Sequence, residues 1–201
     1  MAECARVLED GGVVVMPTDT VYGLACRADH AGAVQRIFAI KQRPTHQPLA
    51  LLVPRNKKPR DYLVDEDEVL RRLLQRWWPG ALTVVAPTDL LLPAGLLGVD
   101  KTVGLRAPDH EWLQELLQQL PGPLAATSAN KSGAPEVASI SQLDPRLSSM
   151  VDLVIDSGLI ADPRPSTVVV RRGMTWTILR EGAIPRTLIE PLLCTGTQSF
   201  D

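Results

Sequence analysis

Two positively charged side chains stand two residues apart in a stretch of the sequence without acidic residues. Lys41 and Arg43 begin the basic segment 41–60, which contains six Lys or Arg residues and no Asp or Glu. Two cations at the junction of a predicted helix and a proline-containing loop can bind a polyphosphate through charge-assisted hydrogen bonds. Cations at that position can also merely complement the dipole of a helix C-terminus. The segment alone leaves both interpretations open.

Short polar segments next to apolar strands form the second group of candidates. The segment 128–133, SANKSG, follows a short apolar strand, and its small residues and glycine allow the backbone to approach a ligand closely. The segment 18–20, Thr-Asp-Thr, interrupts an apolar stretch, and Tyr22 follows it. An ordinary surface loop has a similar composition, so these segments do not by themselves establish a site.

Further candidates stand where predicted strands begin or end. Arg106 ends one strand, Ser166 precedes another and Arg180 follows a third. Ligands of open α/β sheets collect at edges formed by strand ends, so we expect these side chains to converge on a site for a polyanion. The sequence contains neither GxxxxGK[ST] nor GxGxxG, and no Ser-His-Asp order or carboxylate pair stands out. The chemistry should therefore depend on positioning and charge neutralisation.

The elements that must position these residues alternate between helices and strands. Periodicity and turn residues predict helices over 3–9, 31–42, 69–77, 111–120 and 186–193. They predict strands over 13–16, 49–53, 82–86, 103–106, 124–126, 151–155, 167–171 and 175–179, the last two as a hairpin. Asp29 and Asp109 are the predicted N-caps of the second and fourth helices. This order predicts one α/β domain over residues 1–201, with a twisted mixed sheet flanked by helices.

The composition excludes several classes of protein. The chain has 201 residues, of which 45% are hydrophobic and 22% charged, and its net charge is -2, so nothing in its overall charge favours nucleic acid or membrane. No apolar run reaches the ~18 residues of a membrane-spanning helix, and no secretory leader is evident. Three cysteines and three histidines are scattered along the chain. We therefore expect neither a disulfide framework nor a protein-bound zinc.

Seven ordered segments resemble the YrdC family of threonylcarbamoyl-AMP synthases, and their sequences are close to those of its animal members. They are PTDTVYGL, KQRPTHQPL, WPGALTVV, VGLRAPDH, TSANKSG, PSTVVV and LREG, and they run from residue 17 to residue 182. The resemblance implies an α/β twisted sheet with a large, positively lined concave cavity. It implies a nucleotidyltransferase that condenses L-threonine, bicarbonate and ATP into threonylcarbamoyl-AMP and pyrophosphate. A separate complex would transfer the threonylcarbamoyl group to tRNA, making threonylcarbamoyladenosine next to the anticodon.

The resemblance also implies roles for individual residues, carried over from matching motif positions. The threonine-binding residues would be Thr20, Tyr22, Arg106 and Ser166. The catalytic residues would be Lys41, Arg43, Ser128 and Asn130, and the ATP-binding residues would be these four together with Thr83 and Arg180. Mg²⁺ would be bound mainly through the phosphates of ATP, with no metal ligands from the protein. The expected location is the cytoplasm, with a mitochondrial pool if the natural N-terminus is longer.

The sequence is also compatible with two other functions. A concave basic surface could bind double-stranded RNA or tRNA through its phosphates, although the net charge of -2, the aromatic content of 4% and the lack of an RNP-like motif speak against this as the main activity. A non-catalytic regulator that binds an adenylate would carry the same motifs. Salt-sensitive RNA binding without ATP turnover would indicate the first, and an activity assay separates the second.

Overall fold

Nine strands form one mixed sheet in the computed structural model of the chain, which describes residues 1–44 and 46–193. The strands are β1 (Val14–Met16), β2 (Gly23–Arg27), β3 (Ala50–Leu52), β4 (Leu82–Pro87), β5 (Thr102–Arg106), β6 (Leu124–Ser128), β7 (Leu153–Val154), β8 (Thr167–Arg172) and β9 (Thr175–Arg180). The α-helices are α1 (Ala2–Glu9), α2 (Ala31–Lys41), α3 (Glu68–Trp77), α4 (Glu111–Gln119), α5 (Pro145–Ser148) and α6 (Arg186–Leu193). Short 3-10 helices cover Pro59–Asp61, Val99–Lys101 and Ile140–Gln142.

The order of strands across the sheet is β7-β1-β2-β6-β3-β5-β4-β8-β9. Three neighbouring pairs, β1 with β7, β3 with β5 and β4 with β8, are parallel, and the other pairs are antiparallel. The predicted mixed α/β sheet is therefore confirmed. Strands that are distant in the chain become neighbours, and this brings the candidate segments together.

The two faces of the sheet are covered to different extents. Helices α2, α3 and α6 pack their apolar side chains against one face, together with core residues such as Leu51, Val84 and Leu105. On the other face, α1 and α4 form a second cluster over β1, β2, β6 and the end of β3. This second cluster does not include residues of β4, β5 or β8. The part of that face beyond α1 and α4 is the floor of the cavity described below.

The predicted helices and strands are all present, with changed ends. The predicted strand 151–155 is reduced to β7, and β2 was not predicted at all. The sequence of β2, GLACR, contains no β-branched or aromatic residue, so propensity gives no strand signal there.

Both predicted N-caps are wrong by one residue. The N-caps are His30 for α2 and His110 for α4. The carboxylate of Asp29 instead accepts a 2.9 Å hydrogen bond from Nε of Arg27. Nδ1 of His110 accepts the backbone N–H of Leu113 at 3.4 Å, which gives α4 the capping contact that Ser, Thr, Asp or Asn usually makes at this position.

The predicted domain, residues 1–201, includes residue 45 and residues 194–201, which lie outside the described part of the chain. Within the described part, no helix combines the length and the apolar character needed to cross a bilayer.

Candidate active site in a cavity on the sheet

The uncovered part of the sheet face forms the floor of a cavity of about 680 Å³. Side chains alternate between the two faces of a strand, so every second residue of five strands lies on this floor. These residues are Ala50 and Leu52 of β3, Thr83, Val85 and Pro87 of β4, Thr102, Gly104 and Arg106 of β5, Ala126 and Ser128 of β6, and Val168, Val170 and Arg172 of β8.

Small residues at the centre of the floor give the cavity its depth. Ala50 lies opposite Gly104 on one side and Ala126 on the other, and Gly104 lies opposite Val85. A Cβ placed on Gly104 would lie 3.5 Å from Cβ of Ala50, which is ordinary van der Waals contact. The backbone at Gly104 therefore does not require glycine, and its missing side chain leaves space above the floor.

The charged residues around the cavity are predominantly arginines. Among the described lining residues, the arginines are Arg43, Arg106, Arg171, Arg172 and Arg180, and the carboxylate is Asp100. Such a lining favours anionic ligands.

Arg43 and Arg180 stand close enough to influence each other and have only uncharged partners. Arg43 donates from Nε to the backbone oxygen of Gln47 at 2.8 Å, and Arg180 donates to the backbone oxygen of Ser166 at 2.8 Å. Burial and then the charge of Arg180 lower the pKa of Arg43 from its ordinary value. Burial also lowers the pKa of Arg180, against a raising effect of Glu136. These two guanidinium groups are a pair of like charges that an anion would stabilise.

Lys41 is buried behind the segment 128–133. Its Nζ donates to the backbone oxygens of Ser128 at 2.5 Å and Asn130 at 2.6 Å, and to Oδ1 of Asn130 at 3.2 Å. Burial, followed by the charge of Arg43, lowers the pKa of Lys41 to about 8, while Glu136 acts in the opposite direction. Lys41 thus connects the end of α2 to the loop that presents Ser128.

Arg106 is held on three sides at the end of β5. Its NH2 group forms a 2.6 Å ion pair with Asp19, its NH1 group donates to Oγ1 of Thr20 at 3.0 Å, and its Nε donates to the backbone oxygen of Gly80 at 3.0 Å. Thr20 Oγ1 also lies 3.0 Å from Oγ1 of Thr18, which donates to the backbone oxygen of Val21. The polar segment 18–20 is therefore the partner of Arg106.

A second hydroxyl pair links two strands on the floor. Thr83 Oγ1 and Ser166 Oγ are 2.8 Å apart and both buried. Arg180 contacts the same serine through its backbone oxygen. Thr83, Ser166 and Arg180 therefore form one hydrogen-bonded group. This agrees with the expectation that side chains at strand ends converge.

The structure brings most of the predicted site residues to one cavity. Those that line it are Thr20, Arg43, Thr83, Arg106, Ser128, Ser166 and Arg180. Lys41 and Asn130 lie directly behind Ser128, in hydrogen-bond contact with each other. The roles in threonine or ATP binding that the resemblance implies stay predictions.

Tyr22 is placed elsewhere, in the core. Its neighbours Val21 and Gly23 line the cavity, but the ring of Tyr22 is fully buried among core residues. Its hydroxyl donates to the backbone oxygen of Gly158 at 2.8 Å and accepts the N–H of Ser157 at 3.0 Å. Direct contact between Tyr22 and a ligand in the cavity does not fit this position, because alternation turns its side chain away from the floor.

Asp19 is the residue that reasoning from the sequence missed. It stands between Thr18 and Thr20 in the segment that was singled out, but nothing in the sequence pairs it with Arg106, 87 residues further along the chain.

Comparison with known proteins identifies the family of the chain. Residues 6–182 match the family model Sua5/YciO/YrdC, whose description is "Telomere recombination". The threonylcarbamoyl-AMP synthase of Bacillus subtilis is 33% identical over 195 residues, which cover 96% of this chain and 56% of that protein. The enzyme of the same name from Vibrio vulnificus is 33% identical over 185 residues and covers 90% of this chain and 98% of that protein. Both relatives are bacterial, so the closeness to animal members stays a prediction.

A solved relative has the same fold. Sua5 of P. abyssi, in a crystal structure with L-threonine, superposes with a TM-score of 0.86 at 32% identity and covers 95% of this chain. The chain spans about half of that protein, 56% of its length, as it does for the relative from B. subtilis. The match of the family model over most of the chain, together with these relatives, shows that the chain belongs to the Sua5/YciO/YrdC family.

Proposed function

We propose that this chain is an L-threonylcarbamoyl-AMP synthase, a nucleotidyltransferase that uses L-threonine, bicarbonate and ATP. The observation that carries the proposal is the pair Arg43 and Arg180 in a cavity that Arg106 also lines. Two neighbouring guanidinium groups with only uncharged hydrogen-bond partners favour a polyphosphate. The names of the relatives from B. subtilis and V. vulnificus, and the threonine bound to the P. abyssi protein, support the choice of substrates.

The proposed reaction draws its nucleophile from the substrates. The amine of threonine combines with bicarbonate to give a carbamate and water. A carbamate oxygen then attacks the α-phosphorus of ATP, and pyrophosphate leaves. A protein nucleophile is not needed for either step, so positioning and charge neutralisation are the work left to the protein.

The cavity residues divide between the two substrates by their charge. Arg43 and Arg180 would bind the triphosphate of ATP, and Ser128 would contact the nucleotide from the loop that Lys41 and Asn130 hold in place. Thr83 lies on the floor beside Ser166, between the two ends of the site. Arg106, Thr20 and Ser166 would bind the amino acid, because Arg106 offers N–H groups to a carboxylate.

Mg²⁺ would enter with ATP and be held mainly by phosphate oxygens. No group of three or more His, Cys, Asp or Glu side chains in the described part of the chain is arranged to hold a metal ion. Mg²⁺ commonly binds substrate phosphates and water with few protein ligands. The metal would supply charge neutralisation on the phosphates, which Arg43 and Arg180 would supplement from the protein side.

The product would pass to a separate complex that transfers its threonylcarbamoyl group to tRNA. We propose the cytoplasm as the site of this reaction, with a mitochondrial pool if a longer natural form exists. Binding of tRNA or double-stranded RNA would be secondary to the synthase activity.

The test is a pyrophosphate-release assay with single omissions. The purified chain is incubated with ATP, Mg²⁺, bicarbonate and L-threonine, and each component is left out in turn. The proposal predicts that release requires threonine and bicarbonate and needs a higher concentration of ATP in Arg43→Gln. Arg55→Gln, whose guanidinium pairs with Glu111 at 2.8 Å on the surface, should behave as the unsubstituted chain. Release that ignores threonine, or intact ATP together with RNA binding, would contradict it.

A further inference from the structure

The arginines of the cavity differ in how their charge is compensated. Arg106 and Asp19 form an ion pair at 2.6 Å, and their side chains are only 8% and 12% exposed. Lys41, Arg43 and Arg180 have no carboxylate oxygen within 4.0 Å among the described residues. Glu136 influences Lys41 and Arg180 only from beyond that distance. The charge of Arg106 is therefore balanced by an ion pair, whereas no ion pair among the described residues balances the charges of Arg43 and Arg180.

Asp19 lies behind Arg106 with respect to the cavity. Arg106, Thr20 and Thr18 line the cavity, whereas Asp19 is not among the lining residues. A guanidinium has five N–H donors, and three of them are committed to Asp19, Thr20 and Gly80. Asp19 therefore compensates the charge of Arg106 without occupying its remaining donors.

We propose that Asp19 is a specificity-determining residue that reserves the Arg106 end of the cavity for a zwitterionic α-amino acid. This inference rests on the proposed function and extends it to the choice between substrates at each subsite. A zwitterion has no net charge and matches the balanced Arg106–Asp19 pair. A polyphosphate is repelled by the Asp19 carboxylate and attracted to Arg43 and Arg180. Asp19 thus prevents ATP or pyrophosphate from occupying the amino-acid subsite.

Asp19→Asn isolates the charge from the geometry. The amide oxygen of asparagine still accepts the hydrogen bond from Arg106, while the negative charge is lost. Asp29→Asn is the matched control, because Asp29 forms an ion pair with Arg27 outside the cavity. Arg106→Gln is the reciprocal variant, since it leaves the Asp19 charge without its partner.

The experiment is calorimetric binding of pyrophosphate, L-threonine, β-hydroxybutyrate and L-threoninol to each variant, without turnover. β-Hydroxybutyrate lacks the amine of threonine and is an anion, and L-threoninol lacks the carboxylate and is a cation. We expect Asp19→Asn to bind β-hydroxybutyrate about tenfold more tightly and to bind a second pyrophosphate that competes with threonine, while its affinity for threonine changes less than about threefold. Arg106→Gln should shift preference toward L-threoninol, and Asp29→Asn should behave as the unsubstituted chain.

The outcomes separate this inference from the proposed function. Equal weakening of all ligands in Asp19→Asn would show a structural role and overturn the inference, as would unchanged binding of both anions. If Asp19→Asn does not fold, Arg106→Gln decides, and an unchanged preference between β-hydroxybutyrate and L-threoninol overturns the inference. If the unsubstituted chain binds no threonine, the proposed function fails. The number of pyrophosphate molecules bound per chain then decides. A second bound pyrophosphate in Asp19→Asn supports the proposed role of the Asp19 charge, and a single one overturns it.

Discussion

The ammonium group of Lys41 is bound by both oxygens of Asn130, the backbone oxygen at 2.6 Å and Oδ1 at 3.2 Å. The backbone oxygen of Ser128 is the third acceptor, at 2.5 Å. An ammonium has three N–H donors, so these contacts use all of them. Lys41 therefore acts on the cavity through its charge and through the position of the 128–133 loop.

The titration of Lys41 is the first prediction. Its pKa is lowered to about 8, so the ammonium loses its proton as the pH rises through that value. An open loop would expose the ammonium and restore its ordinary pKa of about 10.4. The closed loop therefore binds fewer protons than the open loop above pH 8, and it should become more stable as the pH rises from about 8 to about 10. NMR of labelled lysine side chains measures the midpoint directly, and hydrogen exchange of the loop amides measures the consequence.

Lys41→Arg is the control for that titration, because it removes the signal assigned to Lys41 and leaves the other lysines unchanged. A spectrum in which no lysine titrates well below the ordinary value of about 10.4 would contradict the description of this contact.

Arg43 and Arg180 should each contribute to ATP binding in a salt-dependent way. A charge-assisted hydrogen bond contributes about 1.5–3 kcal/mol, so Arg43→Gln or Arg180→Gln should raise the KM for ATP roughly tenfold to a hundredfold. The KM for threonine should change much less. Steady-state kinetics at two ionic strengths measure both values, and the surface variant Arg55→Gln serves as control. An equal rise of both KM values would show that these arginines do not distinguish the substrates.

Gly104→Ala should reduce activity without reducing stability. The added Cβ would lie 3.5 Å from Cβ of Ala50 and 3.6 Å from Cγ2 of Thr83, both ordinary contacts, so the fold accepts it. Alanine in place of a strand glycine should even raise the stability by up to about 1 kcal/mol. The methyl group would occupy the floor of the cavity and weaken ligand binding.

Thermal unfolding and KM values measure the two effects of Gly104→Ala separately. Gly122→Ala is the matched control, since nothing lies within 4 Å of its added Cβ. A large drop in the unfolding temperature of Gly104→Ala would mean that the floor is packed differently from the description above.

Tyr22→Phe should reduce stability and leave substrate preference unchanged. The substitution removes the hydroxyl that joins the core to Ser157 and Gly158, at 3.0 and 2.8 Å. Losing these partners should cost about 1–3 kcal/mol in the free energy of unfolding. Denaturant unfolding measures this cost, and the ratio of the KM values for threonine and ATP should stay constant. A rise confined to the KM for threonine would place Tyr22 in the substrate site after all.

The sequence predicts much of the fold because most elements carry a clear local pattern. The apolar strands and amphipathic helices were found, and Arg106, Ser166 and Arg180 stand at strand ends as expected. The strand β2 was missed because its five residues, Gly23–Arg27, have no strand propensity and depend on their neighbours β1 and β6 for pairing. Pairing with strands that are distant in the chain therefore stabilises β2, although its own residues have little strand propensity.

The sequence indicated most of the residues that line the cavity, but it did not indicate which of them contact each other. The ion pair of Asp19 and Arg106 joins residues 87 positions apart, and it exists because β5 enters the sheet beside β3, with β6 and β2 beyond it. A single sequence contains no signal for that order of strands. The burial of Tyr22 in the core, just before β2, was likewise not evident from the sequence, and its role in threonine binding stays a prediction.

The most direct test of the central claim is detection of the adenylate itself. The purified chain is incubated with ATP, Mg²⁺, L-threonine and ¹³C-labelled bicarbonate, and the products are analysed by mass spectrometry. The proposal predicts threonylcarbamoyl-AMP that carries the labelled carbon, formed together with pyrophosphate and absent without threonine. Hydrolysis of ATP without a labelled adenylate, or no reaction of ATP at all, would contradict it.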